Sequence, residues 1–105
     1  MAAPQIAVIV PNRNDSLHLT RCIRSILEQE DLPDELIVVD DQSTDNSVSV
    51  IRSLIAGHPV ARLIENPVNL GTYGAVDEAL KIARSEYVLF LSANDAVMPG
   101  LFARA

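Results

Sequence analysis

Four short aliphatic segments alternate with three stretches of helical periodicity, and this alternation constrains the fold more than any other feature of the chain. The segments are residues 6–10, 36–39, 60–64 and 87–91. Most are rich in β-branched residues, as is typical of strands buried on both faces of a sheet. Strand and helix in strict alternation build a parallel sheet through right-handed crossovers. The sequence therefore predicts an α/β fold of three layers, a mainly parallel sheet with helices on both faces.

The three intervening stretches each carry one apolar stripe, which predicts three amphipathic helices. The first begins at a cap on Asp15 or Ser16 and extends to about Gln29, the second begins after Asp45 and ends at Gly57, and the third covers about residues 72–84. The residues predicted to face the core are Leu19, Cys22, Ile23, Ile26 and Leu27, then Val48, Ile51 and Ile55, then Val76, Ala79, Leu80 and Ala83.

The bulk properties exclude several classes of protein. The 105 residues allow a single domain spanning 1–105, and a net charge of −6 argues against a nucleic-acid partner. A single cysteine, Cys22, forms no internal disulfide. The sequence contains no signal peptide and no apolar run near the ~20 residues that span a bilayer. These features predict no transmembrane segment and a cytoplasmic location, peripheral to the membrane if the protein is longer.

Polar clusters follow three of the predicted strands, at residues 11–15, 40–43 and 92–95. In a parallel sheet these clusters share one edge, which is where open α/β sheets bind ligands. Asp40 and Asp41 offer acceptors for a base or ribose, although one could instead cap the next helix while the other is solvated. Asn94 and Asp95 offer hard oxygen ligands for Mg²⁺ or Mn²⁺, or they form an Asn-Asp turn.

Two further features of the sequence concern phosphate. Gly71 and Gly74 open the third helix, where free backbone N–H groups favour an anion, and Arg13 is either a phosphate ligand or a solvated side chain. The glycine fingerprint of dinucleotide-binding folds is absent, which argues against a cofactor of that type.

The segments at residues 9–14, 36–45, 66–71 and 85–95 follow the order and spacing of family 2 glycosyltransferases of the GT-A fold, and the chain resembles that family over its whole length. The resemblance implies the nucleotide-sugar-binding half of such an enzyme, with a UDP-sugar as the favoured donor and sheet order 3-2-1-4. It implies inverting transfer to an acceptor, assisted by Mn²⁺ or Mg²⁺. The nucleotide-binding residues that it implies are Pro11, Asn12, Arg13, Asp40, Asp41, Asn69 and Gly71, and the metal-binding residues are Asn94 and Asp95.

Within this resemblance, Asp41 takes the place of the acid that holds a uracil-type base, and Asp40 helps to shape the site. Asn69, Gly71 and Ala75 match a family motif in which Asp77 stands where Asn is usual.

The chain departs from the family pattern in three ways. Gln42 replaces a usual glycine, which predicts a strained turn. Ser92 and Asn94 stand in the metal loop where the family usually has acids or alanine, which weakens the expected metal site. The acceptor half and the general base, which the family places beyond the metal loop, are absent from a chain that ends at Ala105. Either the protein continues, or this is a truncated member; alone, it is expected to bind nucleotide weakly and transfer little or no sugar.

Two other classes of function share features with this sequence. A non-catalytic nucleotide-binding or interaction module would self-associate, as a homodimer, through the unpaired edge of the fourth strand. A response-regulator-like receiver domain also gathers acids at strand ends, but its acidic pair follows the first strand, and here that strand ends in Pro11, Asn12 and Arg13.

Overall fold

The computed structural model describes residues 5–91, which form a four-stranded parallel sheet and three helices. The elements in chain order are β1 (Ile6–Asn12), α1 (Ser16–Leu27), β2 (Glu35–Asp41), α2 (Ser47–Ile55), β3 (Ala61–Asn66), α3 (Gly71–Ile82) and β4 (Tyr87–Phe90). The strands are ordered β3-β2-β1-β4, and every pairing is parallel. Both the alternation and the sheet order predicted from the sequence are confirmed.

The sheet separates two apolar clusters, because successive residues of a strand point to opposite faces. Val8, Val10, Leu36 and Val38 pack on one face against the buried side chains of α1 and against Ile51 of α2. On the other face, Ile9, Ile37 and Val39 pack against Ala75 and Ala79 of α3. These contacts confirm the three layers, and they confirm that Cys22 is buried.

Three strands extend further into polar residues than the sequence predicts. Strand β1 continues through Pro11 and Asn12, β2 through Asp40 and Asp41, and β3 to Asn66. Proline has no backbone N–H to donate to a neighbouring strand. Pro11 is tolerated in β1 because, within the described part of the chain, Ile9 is the last residue of β1 that pairs with β4. The two acids therefore stand in a strand and not in the loop that follows it.

Leu80 was predicted to face the core but is 43% exposed. The buried stripe of α3 is instead made by Ala75 and Ala79, whose small side chains bring the helix close to the sheet. Val76 and Ala83, which were also predicted to face the core, are partly buried at the margin of the same cluster.

At the amino ends of the strands, buried Glu35 accepts hydrogen bonds from Arg84 N–H at 2.8 Å and from the Ser85 hydroxyl at 2.9 Å. These bonds fix the connection from α3 to β4. Within residues 5–91, β4 pairs with β1 alone, and its Tyr87 and Phe90 are about half exposed. A homodimer that forms through the outer edge of β4 stays a prediction, which light scattering of the chain can test.

None of the helices in this part of the chain is long and apolar enough to cross a membrane.

Candidate functional site

The carboxyl ends of β1, β2 and β3 bring four buried polar side chains together. The strand register places Asn12 beside Asp40 and Asp41 beside Asn66. All four side chains are less than a tenth exposed. Buried polar groups are costly unless they are hydrogen-bonded, so their partners define what this edge can do.

Asp41 is held by three hydrogen-bond donors. Its Oδ1 accepts from the Asn66 side-chain amide at 3.0 Å and from Leu70 N–H at 2.8 Å, while its Oδ2 accepts from Gly71 N–H at 2.9 Å. We call these four residues the Asp41 clamp. The anion expected at the start of α3 is therefore supplied by the protein itself, because Asp41 takes the N–H groups that open this helix.

The clamp also determines the ionisation of Asp41. Burial alone raises the pKa of Asp41, but the hydrogen bonds from Leu70, Asn66 and Gly71, with the positive charge of Arg13, outweigh it and lower the pKa below its usual value. Asp41 is thus a carboxylate at neutral pH and can only accept hydrogen bonds.

This lowered pKa predicts how stability depends on pH. A carboxyl with a lower pKa in the folded than in the unfolded state stabilises the fold above its unfolded pKa, and this contribution is lost as pH falls through the folded pKa. We expect the part of the unfolding free energy due to Asp41 to be constant from pH 7 to 5 and to decline below about pH 4. Urea unfolding at several pH values checks this, and Asp41→Asn is expected to have a shallower decline. An equal decline in both proteins would contradict the assignment.

Asp40 has a different set of partners from Asp41. Its Oδ1 accepts from the Asn12 amide at 3.2 Å and from the Ser43 hydroxyl at 2.6 Å, and its Oδ2 accepts from Ser43 N–H at 3.0 Å. The alternative in which one acid caps the next helix and the other is solvated is therefore wrong for both acids. Asp40 ties the end of β1 to the turn after β2.

Asn14 joins the same two loops from the other side. Its Oδ1 accepts from Thr44 N–H at 2.7 Å and from Asp45 N–H at 3.2 Å. Asn14 itself has a φ of 53°, in the left-handed region that Asn tolerates better than most residues. Asp45 accepts in turn from Ser47 N–H at 2.9 Å, the first residue of α2. The N-cap of α2 is Asn46 and not Asp45 as predicted, although the Asp45 side chain bonds the first N–H of the helix.

The strained turn predicted at Gln42 is confirmed, since this residue has a φ of 59°. Left-handed backbone costs a residue with a Cβ about 1–2 kcal/mol. Gln42 recovers part of this through a hydrogen bond from its Nε2 to the Pro67 carbonyl at 3.2 Å, on the surface.

Gln42→Gly is expected to raise the free energy of unfolding by about 0.5–1 kcal/mol, because relief of the strain exceeds the loss of one exposed hydrogen bond. Thermal or urea unfolding measures the change. The control Gln42→Ala keeps the strain but loses the bond, so it should be slightly destabilising. A glycine variant less stable than the alanine variant would contradict this explanation.

A cleft of about 330 Å³ opens beside the Asp41 clamp. The polar part of its wall comes from the β1 end, from β2 and from the start of α3, and its apolar part from α3 and the end of β4. The lining residues are Pro11, Asn12, Arg13, Asp41, Asn69, Gly71, Thr72, Ala75, Val76, Phe90 and Leu91. A flat heterocycle suits such a wall, with apolar faces and a few polar groups at its margin.

Six of the seven residues named as nucleotide-binding from the sequence line this cleft, and Asp40 is the exception. Asn94 and Asp95, named as metal-binding, lie outside the described residues. Across residues 5–91, no three His, Cys, Asp or Glu side chains are grouped to hold a metal ion. No role was predicted for Asn66, which follows the predicted strand 60–64 and lies in one of the family-like segments. Its contact with Asp41 depends on the register in which β2 pairs with β3, which the sequence does not reveal.

The fold is that of the nucleotide-diphospho-sugar transferases of the GT-A type, which solved structures with TM-scores of 0.80 and 0.81 confirm. The family model for glycosyl transferase family 2 matches residues 7–105, and the chain belongs to this family.

Three similar proteins illustrate this membership. A glycosyltransferase of Haemophilus influenzae is 34% identical over 97 residues, which are 92% of this chain and 39% of that protein. The mannosyltransferase PcManGT from Pyrobaculum calidifontis, solved in complex with GDP-Man and Mn²⁺, is 32% identical with a TM-score of 0.80, over 89% of this chain and 28% of that one. TarS 1-349 of S. aureus, in complex with UDP-GlcNAc, is 27% identical with a TM-score of 0.81, over 95% and 29%. The chain thus spans less than two-fifths of each.

Proposed function

We propose that residues 1–105 form one domain, the nucleotide-sugar-binding half of a family 2 glycosyltransferase, and that its ligand is a UDP-sugar. The observation that carries this proposal is the convergence of Pro11, Asn12, Arg13, Asp41, Asn69 and Gly71 on one cleft. Family membership and the nucleotide sugars bound by PcManGT and TarS support it.

Different residues of the cleft contact the base and the diphosphate of the proposed ligand. The base enters beside Pro11 and is read by the carboxylate of Asp41, which lines the cleft and is 4% exposed. Arg13 is exposed at the lip of the cleft and supplies a positive charge for the diphosphate. Asn69 fixes the start of α3, because its Oδ1 accepts from Gly71 N–H at 3.0 Å.

A divalent ion, Mn²⁺ or Mg²⁺, fits this proposal through residues outside the described part of the chain. Each oxygen of Asp40 and Asp41 already accepts at least one hydrogen bond from the described residues, and Asp41 is assigned to the base. We therefore assign the ion to Asn94 and Asp95. An amide and a carboxylate are both hard oxygen ligands, and phosphate oxygens of the nucleotide would add to them. When bound, such an ion neutralises charge on the leaving nucleoside diphosphate. With Asn94 neutral, we expect its affinity to depend strongly on the nucleotide.

Sugar transfer is proposed for the whole protein and not for this chain. We assign no residue within 1–105 as general base, and the relatives are more than twice as long as this chain. The inverting displacement of the nucleoside diphosphate by an acceptor hydroxyl therefore requires residues outside it.

Calorimetric titration of the chain with UDP in the presence of Mn²⁺ tests the proposal. We expect saturable heat for the wild-type protein and for Asp31→Asn, a control at an exposed loop on the opposite edge. Asp41→Asn should weaken UDP by at least about tenfold, because a hydrogen bond to a charged acceptor is lost. No binding to the wild-type protein, or equal binding to both variants, would overturn the proposal.

A further inference from the structure

The hydrogen bonds to Asp41 leave its two oxygens unequal. A carboxylate has about four lone-pair positions, two on each oxygen. Oδ1 already accepts from Asn66 and Leu70, whereas Oδ2 accepts only from Gly71 among the described residues. Among the described residues, the one acceptor position of Asp41 left without a donor is therefore on Oδ2.

Asn66 is the side chain responsible for this inequality. It lies at the end of β3, directly beside Asp41 in the sheet register, is 7% exposed, and does not line the cleft. Its amide must donate through Nδ2, because an ionised carboxylate offers no proton in return. Asn66 thus acts on a ligand only through Asp41.

The second donor to Oδ1 is fixed by a close approach of the backbone. A Cβ on Gly74 would lie 2.7 Å from the Cβ of Leu70, which no ordinary contact permits. The absence of a side chain at Gly74 lets Leu70 stay where its N–H reaches Oδ1. Both lone-pair positions on Oδ1 are therefore occupied by groups that the fold holds in place.

We propose that Asn66 is a positioning residue that sets the base preference of the cleft, by saturating Oδ1 of Asp41 so that a single donor can be read at Oδ2. This inference rests on the proposed function. Uracil presents one imide N–H flanked by two carbonyls, which matches one open acceptor. Guanine presents an N–H and an adjacent amino group, which together suit a carboxylate with both oxygens free. In this cleft the guanine amino group would be buried without an acceptor, and a buried unsatisfied donor is costly.

Titration with UDP and with GDP, each with Mn²⁺, tests the inference on the wild-type chain and on Asn66→Ala. We expect the wild-type chain to bind UDP about tenfold or more tightly than GDP, the effect of one unmade hydrogen bond to a charged group. Asn66→Ala frees an acceptor position on Asp41 Oδ1, so the dissociation constant for GDP divided by that for UDP should fall towards about 1. Asn46→Ala, at an exposed position outside the cleft, should keep the wild-type ratio.

The outcomes separate the inference from the function on which it rests. Equal affinity of the wild-type chain for UDP and GDP overturns the inference alone, and this result needs no folded variant. If Asn66→Ala weakens the binding of UDP and of GDP by the same factor, the inference is also overturned, because a merely structural role of Asn66 would have this effect. UDP methylated at N3 should bind the wild-type chain as poorly as GDP, and binding as tight as UDP would contradict the reading of the imide. Failure of the wild-type chain to bind UDP at all removes both proposals.

Discussion

Asp41→Ala is expected to lower the free energy of unfolding by about 3–5 kcal/mol, the largest effect of any single substitution in the site. The change deletes the acceptor for Leu70 N–H and the Asn66 amide at once, and leaves Gly71 N–H with Asn69 Oδ1 alone. Each buried donor left without a partner costs about 1–3 kcal/mol, and the two costs overlap because relaxation or water relieves part of them. The start of α3 also loses the negative charge that faces its N–H groups.

Urea unfolding monitored by circular dichroism measures this effect, with Asp31→Ala as the matched control on an exposed loop. The control should change stability by no more than about 0.5 kcal/mol. A loss below about 1 kcal/mol for Asp41→Ala would show that the clamp contributes little to the fold.

Asp40→Ala is expected to cost about 2–4 kcal/mol, for a related reason on the other side of the sheet edge. It leaves the Asn12 amide, the Ser43 N–H and the Ser43 hydroxyl without their shared acceptor. Within residues 5–91, Asn12 Oδ1 is already buried with no hydrogen-bond partner, and without Asp40 the Asn12 amide keeps only a longer bond to the Ser43 hydroxyl at 3.4 Å. Such a residue is costly to disturb.

Ser43→Ala is the matched comparison for Asp40→Ala, because it removes one hydroxyl and leaves the carboxylate in place. Its expected cost is about 1–2 kcal/mol, because the hydroxyl donates to Asp40 and also accepts from Asn14 N–H at 3.0 Å and from the Asn12 amide at 3.4 Å. Equal unfolding midpoints and slopes for the two variants would contradict the view that Asp40 organises this turn.

Much of the fold could be predicted because its signals are local. Four aliphatic segments and three apolar stripes identified the elements, and resemblance supplied the sheet order. The errors came where local signals compete with tertiary contacts. Asn12 and Asp41 read as loop residues, but pairing with neighbouring strands keeps both in the sheet. Leu80 satisfies the helical period yet lies at the margin, because alanines bring α3 against the sheet.

The site shows the same division between residue positions and residue contacts. That Pro11, Arg13 and Gly71 would share an edge follows from parallel topology. That Asp41 would be held by backbone N–H groups 29 and 30 residues away does not follow from any pattern in the sequence. Such contacts depend on the path of the chain from β3 into α3, which only the three-dimensional structure provides. Asn66 became a candidate only through them.

The most direct test of the central claim is a two-dimensional ¹⁵N–¹H NMR titration of the chain with UDP and Mg²⁺, which avoids the paramagnetism of Mn²⁺. We expect the largest shift changes at the amides of Arg13, Asp41, Leu70 and Gly71 and at the Asn66 side-chain amide, all at the carboxyl edge of the sheet. The amides of Glu35 and Ser85, at the opposite edge, should stay unchanged. Largest changes at that opposite edge, or no changes at saturating UDP, would contradict the assignment of this cleft to a nucleotide.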